Sequence, residues 1–326
     1  MEIKNKSFRK IMLDFPKQFR AGLKAAENVK LSGKFDGVVV CGMGGSAWPA
    51  EILQEWLKIP LPFYVNKAYN LPPQTTKNSL IVVSSYSGNT EEPINCFREA
   101  KKRKFKIVCL TTGGRLKELC QKEKTPLVLI PQGLPIPRLG CGYTFASLAK
   151  ILSNAGIIKD VSGEIISMAE NLNTGEKEKE GQRLAGLIGN KIPVIYASDN
   201  LKSLAYAWKI KFNETAKIPA FCNYFPEMNH NELSAYSKPN NIFFTAILGD
   251  GEKEDKRILK RMSLTADIIK SKNIPAEIIN LQGENSLEKI FDGMVIADWA
   301  SYYLALKSKV DPLSVKMQEE FKTKLA

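Results

Sequence analysis

The apolar run from Leu80 to Val83 stops at a cluster of Ser, Gly, Asn and Thr, and two acidic residues, Glu91 and Glu92, follow. That order predicts a buried strand, a loop and the start of a helix. Similar alternations recur along the chain. Apolar positions at helical spacing over residues 8–29 predict one amphipathic opening helix. The β-branched run 38–40 predicts a strand leading into Gly42, Gly44 and Gly45, with Ser46 placed to cap the next helix. Further strands are expected near 62–65, over 106–110 and over 126–130, with helices through FREAKKRKF, over 115–122 and from 145 to 154. Residues 157–188 read as a polar connecting helix. Beyond it, strands at 192–197, 241–248 and 276–281 alternate with helices from about Asn200, up to about Lys272, and from Leu287 to about Leu306.

Strands alternating with helices imply βαβ units. The expected fold is therefore α/β, with two tandem domains, each a doubly wound parallel sheet flanked by helices: 1–155, then a connecting helix at 156–189, then 190–326. Ligands of such sheets sit at the carboxyl ends of the strands. Ser46 and the Ser85–Thr90 group both fall there, so they converge on one cleft. The corresponding loop of the second half, ASDNLKS, lacks the GMGG turn, and one phosphate site per chain is expected.

Composition narrows the possibilities. A chain of 326 residues that is 44% hydrophobic and 25% charged has room for two globular domains. The opening MEIKNKSFRKIMLDF has no apolar h-region, and nowhere is an apolar run long enough to span a bilayer, so a soluble, cytoplasmic protein with no membrane partner is expected. The formal charge of +13 favours anionic partners. Yet the lysines are interleaved with acids, as in GEKEKEGQR and DGEKEDKRILKR, rather than gathered with aromatics, which argues against nucleic acid. The six cysteines form no CxxC pair and read as buried thiols. With one histidine in the chain, no metal site is expected, and no cofactor. The GxGG turn lacks the third glycine and the following acid of a dinucleotide loop; a sugar phosphate or a simple tight turn fits it equally.

The candidate chemistry lies in loops. The 84–92 junction gathers short hydroxyls, the flexible Gly88 and the unpaired N–H groups of a helix start, the set a phosphate monoester needs, though an ordinary capped turn has the same composition. Arg138, in PQGLPIPRLGCGYTF, could bind an anion through its fork of donors or form a surface ion pair. The segment NETAKIPAFCNYFPEMNHNELSAY holds His230, the sole histidine, with Glu214 upstream at the end of an apolar helix and Glu232 just after. A lone histidine in a polar loop is most often structural. A carboxylate base with an imidazole is nonetheless the pair needed to open a cyclic sugar and move a proton between adjacent carbons.

Taken together, SSYSGNTEE, GMGGSA, the NE…NHNE spacing and the terminal DPLSVKMQEEFKTKL resemble the sugar isomerase (SIS) domain proteins. More narrowly, they resemble the bifunctional phosphoglucose/phosphomannose isomerases. The resemblance spans nearly the whole chain. It implies two SIS domains, and it implies that Gly45, Ser46, Ser85, Ser87 and Thr90 bind the substrate phosphate. Glu214 would shuttle the proton between C1 and C2, His230 would assist ring opening from the partner subunit of a homodimer, and Arg138 would stabilise the enediolate. Lys322, with Lys316 and Lys324 as competitors, would contact the ring oxygen. The implied substrates are glucose, mannose and fructose 6-phosphates. Two other readings fit the same fold: a non-catalytic sugar-phosphate regulator, and an isomerase for an amino or heptose sugar phosphate.

Overall fold

A computed structural model describes residues 2–239, 241–249 and 254–325. The chain divides into two compact units, one covering Asp14–Leu172 and the other combining the segment up to Leu13 with that from Asn173 onward. These boundaries differ from the expected 155 and 189, and the opening and connecting segments explain why.

Where periodicity predicts one opening helix, the chain makes two, α1 (Glu2–Leu13) and α2 (Lys17–Ala26). Pro16 cannot donate a backbone hydrogen bond and its fixed φ suits a helix start, so it closes one helix and begins the other. The apolar positions then part company. Phe8 on α1 stacks on Tyr302, ring centroids 5.2 Å apart, within one unit. Phe19 on α2 packs edge-on against Phe145 at 6.3 Å within the other.

The Asp14–Leu172 unit continues through β1 (Gly37–Cys41), α3 (Trp48–Leu57), β2 (Phe63–Asn66), β3 (Ser79–Ser84), α4 (Glu91–Lys102), β4 (Lys106–Thr111), α5 (Gly114–Lys122), β5 (Leu127–Leu129), α6 (Cys141–Asn154) and α7 (Ser162–Asn171). Its sheet runs β2-β1-β3-β4-β5, and every neighbouring pair is parallel. Strands β1 and β3 are buried along their whole length, as strands covered on both faces must be. On one face Val39, Cys41, Ile81, Val83 and Cys109 pack with Cys96 and Phe97 of α4 and Leu116 of α5. Strand order reverses between β1 and β3, which opens a crevice at their carboxyl ends.

The connecting segment is likewise two helices, α7 and α8 (Lys177–Ile188). The Asn-Thr-Gly turn separates them, and Thr174 is fixed by its carbonyl, which accepts from Trp299 Nε1 at 2.7 Å. The other unit carries β6 (Ile192–Ser198), α9 (Lys202–Lys211), β7 (Phe221–Phe225), α10 (Met228–Asn231), β8 (Phe243–Gly249), α11 (Lys256–Ser271), β9 (Ala276–Asn280), α12 (Ser286–Lys307) and α13 (Lys316–Leu325). Its parallel sheet runs β7-β6-β8-β9. Strand β7 has no counterpart in the sequence reading, because it is an edge strand whose Phe221 and Tyr224 stay exposed and blur the apolar pattern. Helix α12 is buried almost throughout, and a salt bridge from Lys211 to Asp298 at 2.6 Å joins it to α9.

Candidate active site

Three loops interlock in the Asp14–Leu172 unit. After β1 the chain turns through a short 3₁₀ segment, Gly44–Ser46. Ser46 is buried, and it does not cap α3: Ala47 holds that position without a side-chain bond. Its hydroxyl instead accepts the Tyr86 N–H at 3.0 Å, tying the glycine turn to the serine loop after β3. A bond of this kind spans forty residues of sequence, so nothing local could reveal it. The third loop is the 3₁₀ turn Pro137–Gly140. It lies so close under the glycine turn that a Cβ on Gly45 would stand 2.9 Å from the Arg138 Cα. A Cβ on Gly140 would stand 2.7 Å from Cε2 of Tyr86, which closes the triangle.

Within the serine loop the serine and threonine hydroxyls are hydrogen-bonded, while the buried Tyr86 hydroxyl has no hydrogen-bond partner among the described residues. Ser85, 1% exposed, donates to Thr90 Oγ1 at 2.9 Å. Thr90 occupies the N-cap of α4 without bonding the helix backbone through its side chain. Ser87 lies exposed at the rim and accepts the Asn89 N–H at 3.3 Å. Burial pushes the Tyr86 hydroxyl up to about 12, so it remains protonated at neutral pH. Thus Gly45, Ser46, Ser85, Ser87, Thr90 and Arg138 belong to one cradle at the crevice between β1 and β3. Arg138 is 3% exposed, and its backbone packs against Gly45.

Sequence reasoning missed the residue that secures the third loop. Gln18 of α2, 3% exposed, donates through Nε2 to Leu139 O at 2.7 Å and accepts the Gly142 N–H at 3.2 Å. The available signal was a glutamine between Phe15 and Phe19 on an apolar helix face, where a buried amide must find partners.

The other unit holds Glu214, His230 and Lys322. Helix α9 ends in a π-helical turn, Phe212–Ala216, that carries Glu214 half-buried, and π turns recur at functional sites. Lys217 follows in the left-handed region, φ +60. Its ammonium donates to the Glu214 carbonyl and to the Ser314 carbonyl, the latter at 2.6 Å, which pins the chain leading into α13 beside the Glu214 turn. Lys322 sits on α13, none of whose residues is buried. Lys324 pairs with Glu320 at 2.7 Å on the same helix.

His230 lies on α10 with its side chain exposed. The neighbouring Met228 is fully buried and anchors the turn in the core. Glu232 accepts from Tyr196 Oη at 2.7 Å and from Asn223 Nδ2 at 2.6 Å. Burial pushes the Tyr196 hydroxyl well above the ordinary tyrosine range and raises that of Tyr236, so both stay protonated. Among the described residues no group of three His, Cys, Asp or Glu side chains is placed to hold a metal ion, and no helix is long and apolar enough to cross a membrane.

Comparison with known proteins accords with this geometry. Residues 177–325 match the bacterial phospho-glucose isomerase C-terminal SIS domain. A bifunctional phosphoglucose/phosphomannose isomerase from Caldicellulosiruptor bescii is 33% identical over 96% of this chain and 97% of its own. A D-glucosamine-6-phosphate 4-epimerase from Sulfolobus acidocaldarius is 32% identical over 91% of this chain and 87% of its own. Among solved structures, the C-terminal domain of glucosamine-fructose-6-phosphate aminotransferase from Francisella tularensis superposes with a TM-score of 0.74 at 14% identity, covering 94% of this chain and 97% of that one, a likeness of fold alone. Its sequence places this chain in the bifunctional phosphoglucose/phosphomannose isomerase family, as an isomerase built from parallel α/β sheets of the SIS type.

Proposed function

We propose that the protein interconverts glucose 6-phosphate and mannose 6-phosphate with fructose 6-phosphate through a cis-enediolate. The observation that supports this most directly is the cradle of interlocked loops at the β1/β3 crevice in a chain of this family. Buried hydroxyls, a tight glycine turn, a helix N-terminus and an arginine suit a phosphate monoester. Held there, the sugar presents its reacting carbons to a base at high effective concentration.

In this reading Gly45, Ser46, Ser85, Ser87 and Thr90 bind the phosphate. His230 and Lys322 open the ring by managing the proton of the hemiacetal oxygen. Glu214 removes the C2 proton of the open aldose and returns it to C1, while a proton passes from O2 to O1, so that aldose and ketose differ by that transfer alone. Arg138 stabilises the charge on the enediolate oxygens. Glucose and mannose 6-phosphates are epimers at C2 and share one enediolate, which is why one site serves both. A homodimer in which His230 serves the partner's site, in the cytoplasm, completes the reading; the exposure of His230 on its own unit supports it.

A second reading has a specific observation behind it: the 4-epimerase at 32% identity. The two part at the product. Incubated with fructose 6-phosphate, the protein is expected to form both glucose 6-phosphate and mannose 6-phosphate, resolved by carbon-13 NMR. Inertness toward fructose 6-phosphate together with C4 inversion of glucosamine 6-phosphate would favour the second reading and sink the first.

A further inference from the structure

The geometry points to Glu232 as a positioning residue for His230: its half-buried carboxylate fixes the turn from which the imidazole projects. This rests on the reading in which His230 assists ring opening.

Tyr196 and Asn223 are register partners on β6 and β7, and the Glu232 carboxylate bridges them with one oxygen to each. The direction of the bonds behind it follows from proton counting. Tyr196 has one hydroxyl proton and gives it to Glu232 Oε2, so at its 3.0 Å contact with Tyr236 Oη the Tyr236 hydroxyl must be the donor. Tyr236 in turn accepts from Thr245 Oγ1 of β8 at 3.3 Å. A relay of hydroxyls from three elements therefore points toward one acceptor-only group. An amide at this position would have to present N–H to one of the two donors, and the relay would break.

On the other side of the histidine, Asn229 is held just as firmly. Its Nδ2 donates to Thr265 Oγ1 at 2.8 Å, and its Oδ1 accepts from Arg261 at 3.2 Å, both on α11. Asn231 caps the following turn through the Glu232 N–H at 2.6 Å and donates to Glu227 at 2.7 Å. The His230 N–H itself donates to Glu227 O at 2.9 Å. Hence Asn229 is bonded to α11 and Asn231 within its own turn, while the His230 side chain is exposed. An exposed side chain ordinarily loses reach and angle to motion of its backbone; here hydrogen bonds restrain that backbone on both sides.

A double-mutant cycle separates positioning from a general structural role. Glu232→Ala is expected to lower kcat on glucose 6-phosphate about tenfold while leaving KM within about twofold, the range in which supporting groups act. The His230→Ala/Glu232→Ala enzyme is then expected to be no slower than His230→Ala. Should Glu232→Ala fail to fold by circular dichroism, Tyr196→Phe, which deletes one donor, enters the same cycle. An unchanged kcat in the single variant, or losses that multiply in the double, would overturn the assignment. Full turnover by His230→Ala would instead overturn the role given to His230 itself, which keeps the two failures distinct.

Discussion

Gly45 and Arg138 lie backbone against backbone: a Cβ on the glycine would stand 2.9 Å from the arginine Cα and 3.1 Å from its amide nitrogen. Neither atom is the end of a flexible side chain, so an added methyl group must displace one loop from the other. The cradle's shape thus depends on a missing side chain.

Gly45→Ala is accordingly expected to lose about 1–3 kcal/mol of stability through overpacking. It should also raise KM for fructose 6-phosphate while Glu214 remains in place. Thermal unfolding and steady-state kinetics on one preparation check both, and an unaltered KM would separate the turn from phosphate binding.

Ser46→Ala leaves the Tyr86 N–H without its acceptor in a site where both residues are buried. An orphaned buried donor costs about 1–3 kcal/mol. Urea unfolding should register that loss with an unchanged denaturant slope, since the compactness of neither end state is altered.

Glu214→Gln keeps size and shape while removing the carboxylate proposed as the base. Turnover is expected to fall by about 10²–10⁴, the span of general-base contributions, with the melting temperature nearly constant. Undiminished turnover would assign the proton transfer elsewhere.

Lys217→Met removes the link between the Glu214 and Ser314 carbonyls, so α13 loses its tether beside the Glu214 turn. If Lys322 acts from that helix, kcat should fall in this variant and in Lys322→Met. It should not fall in Lys324→Met, whose lysine pairs with Glu320 on the same helix.

Docking of α1 has a pH signature. Glu178 accepts from Arg9 at 2.7 Å and from Tyr303 Oη at 2.8 Å, and the Arg9 hydrogen bond holds its carboxyl below the ordinary value of 4.5. Because the folded value is depressed, this stabilisation is fully present above about pH 4.5 and fades as pH falls through the lower folded value. Acid-range unfolding of wild type and Glu178→Gln should therefore converge, the difference between them being largest near neutrality.

Much of this architecture is written locally. The Leu80–Val83 run and the Val38–Val40 run each end in small and hydroxyl residues, and each became a buried strand leading to a loop of the cradle. Hydrophobic period and turn chemistry act over a few residues, so a linear reading captures them. Parallel pairing follows from the alternation of strands with helices, again without distant information, whereas the strand order that sets β1 beside β3 does not.

What tertiary structure alone decided involves partners far apart in sequence. Pro16 breaks the 8–29 run locally, but that Phe8 on one side goes to Tyr302 and Phe19 on the other to Phe145 is nothing the shared periodicity decides. Ser46 has the composition of a helix cap, yet its hydroxyl went to Tyr86, because burial makes an unpaired backbone N–H more costly than an uncapped helix start. Strand β7 depended on a vacant edge beside β6, and Glu232 on the adjacency of Tyr196 and Asn223 that this pairing creates. The sequence by itself determined most of the strands, helices and polar turns, though not β7 or the breaks within the opening and connecting helices, and carried the signature of the family. Only the folded chain decided which loop meets which, since those contacts bring together groups whose separation along the chain no local rule can read.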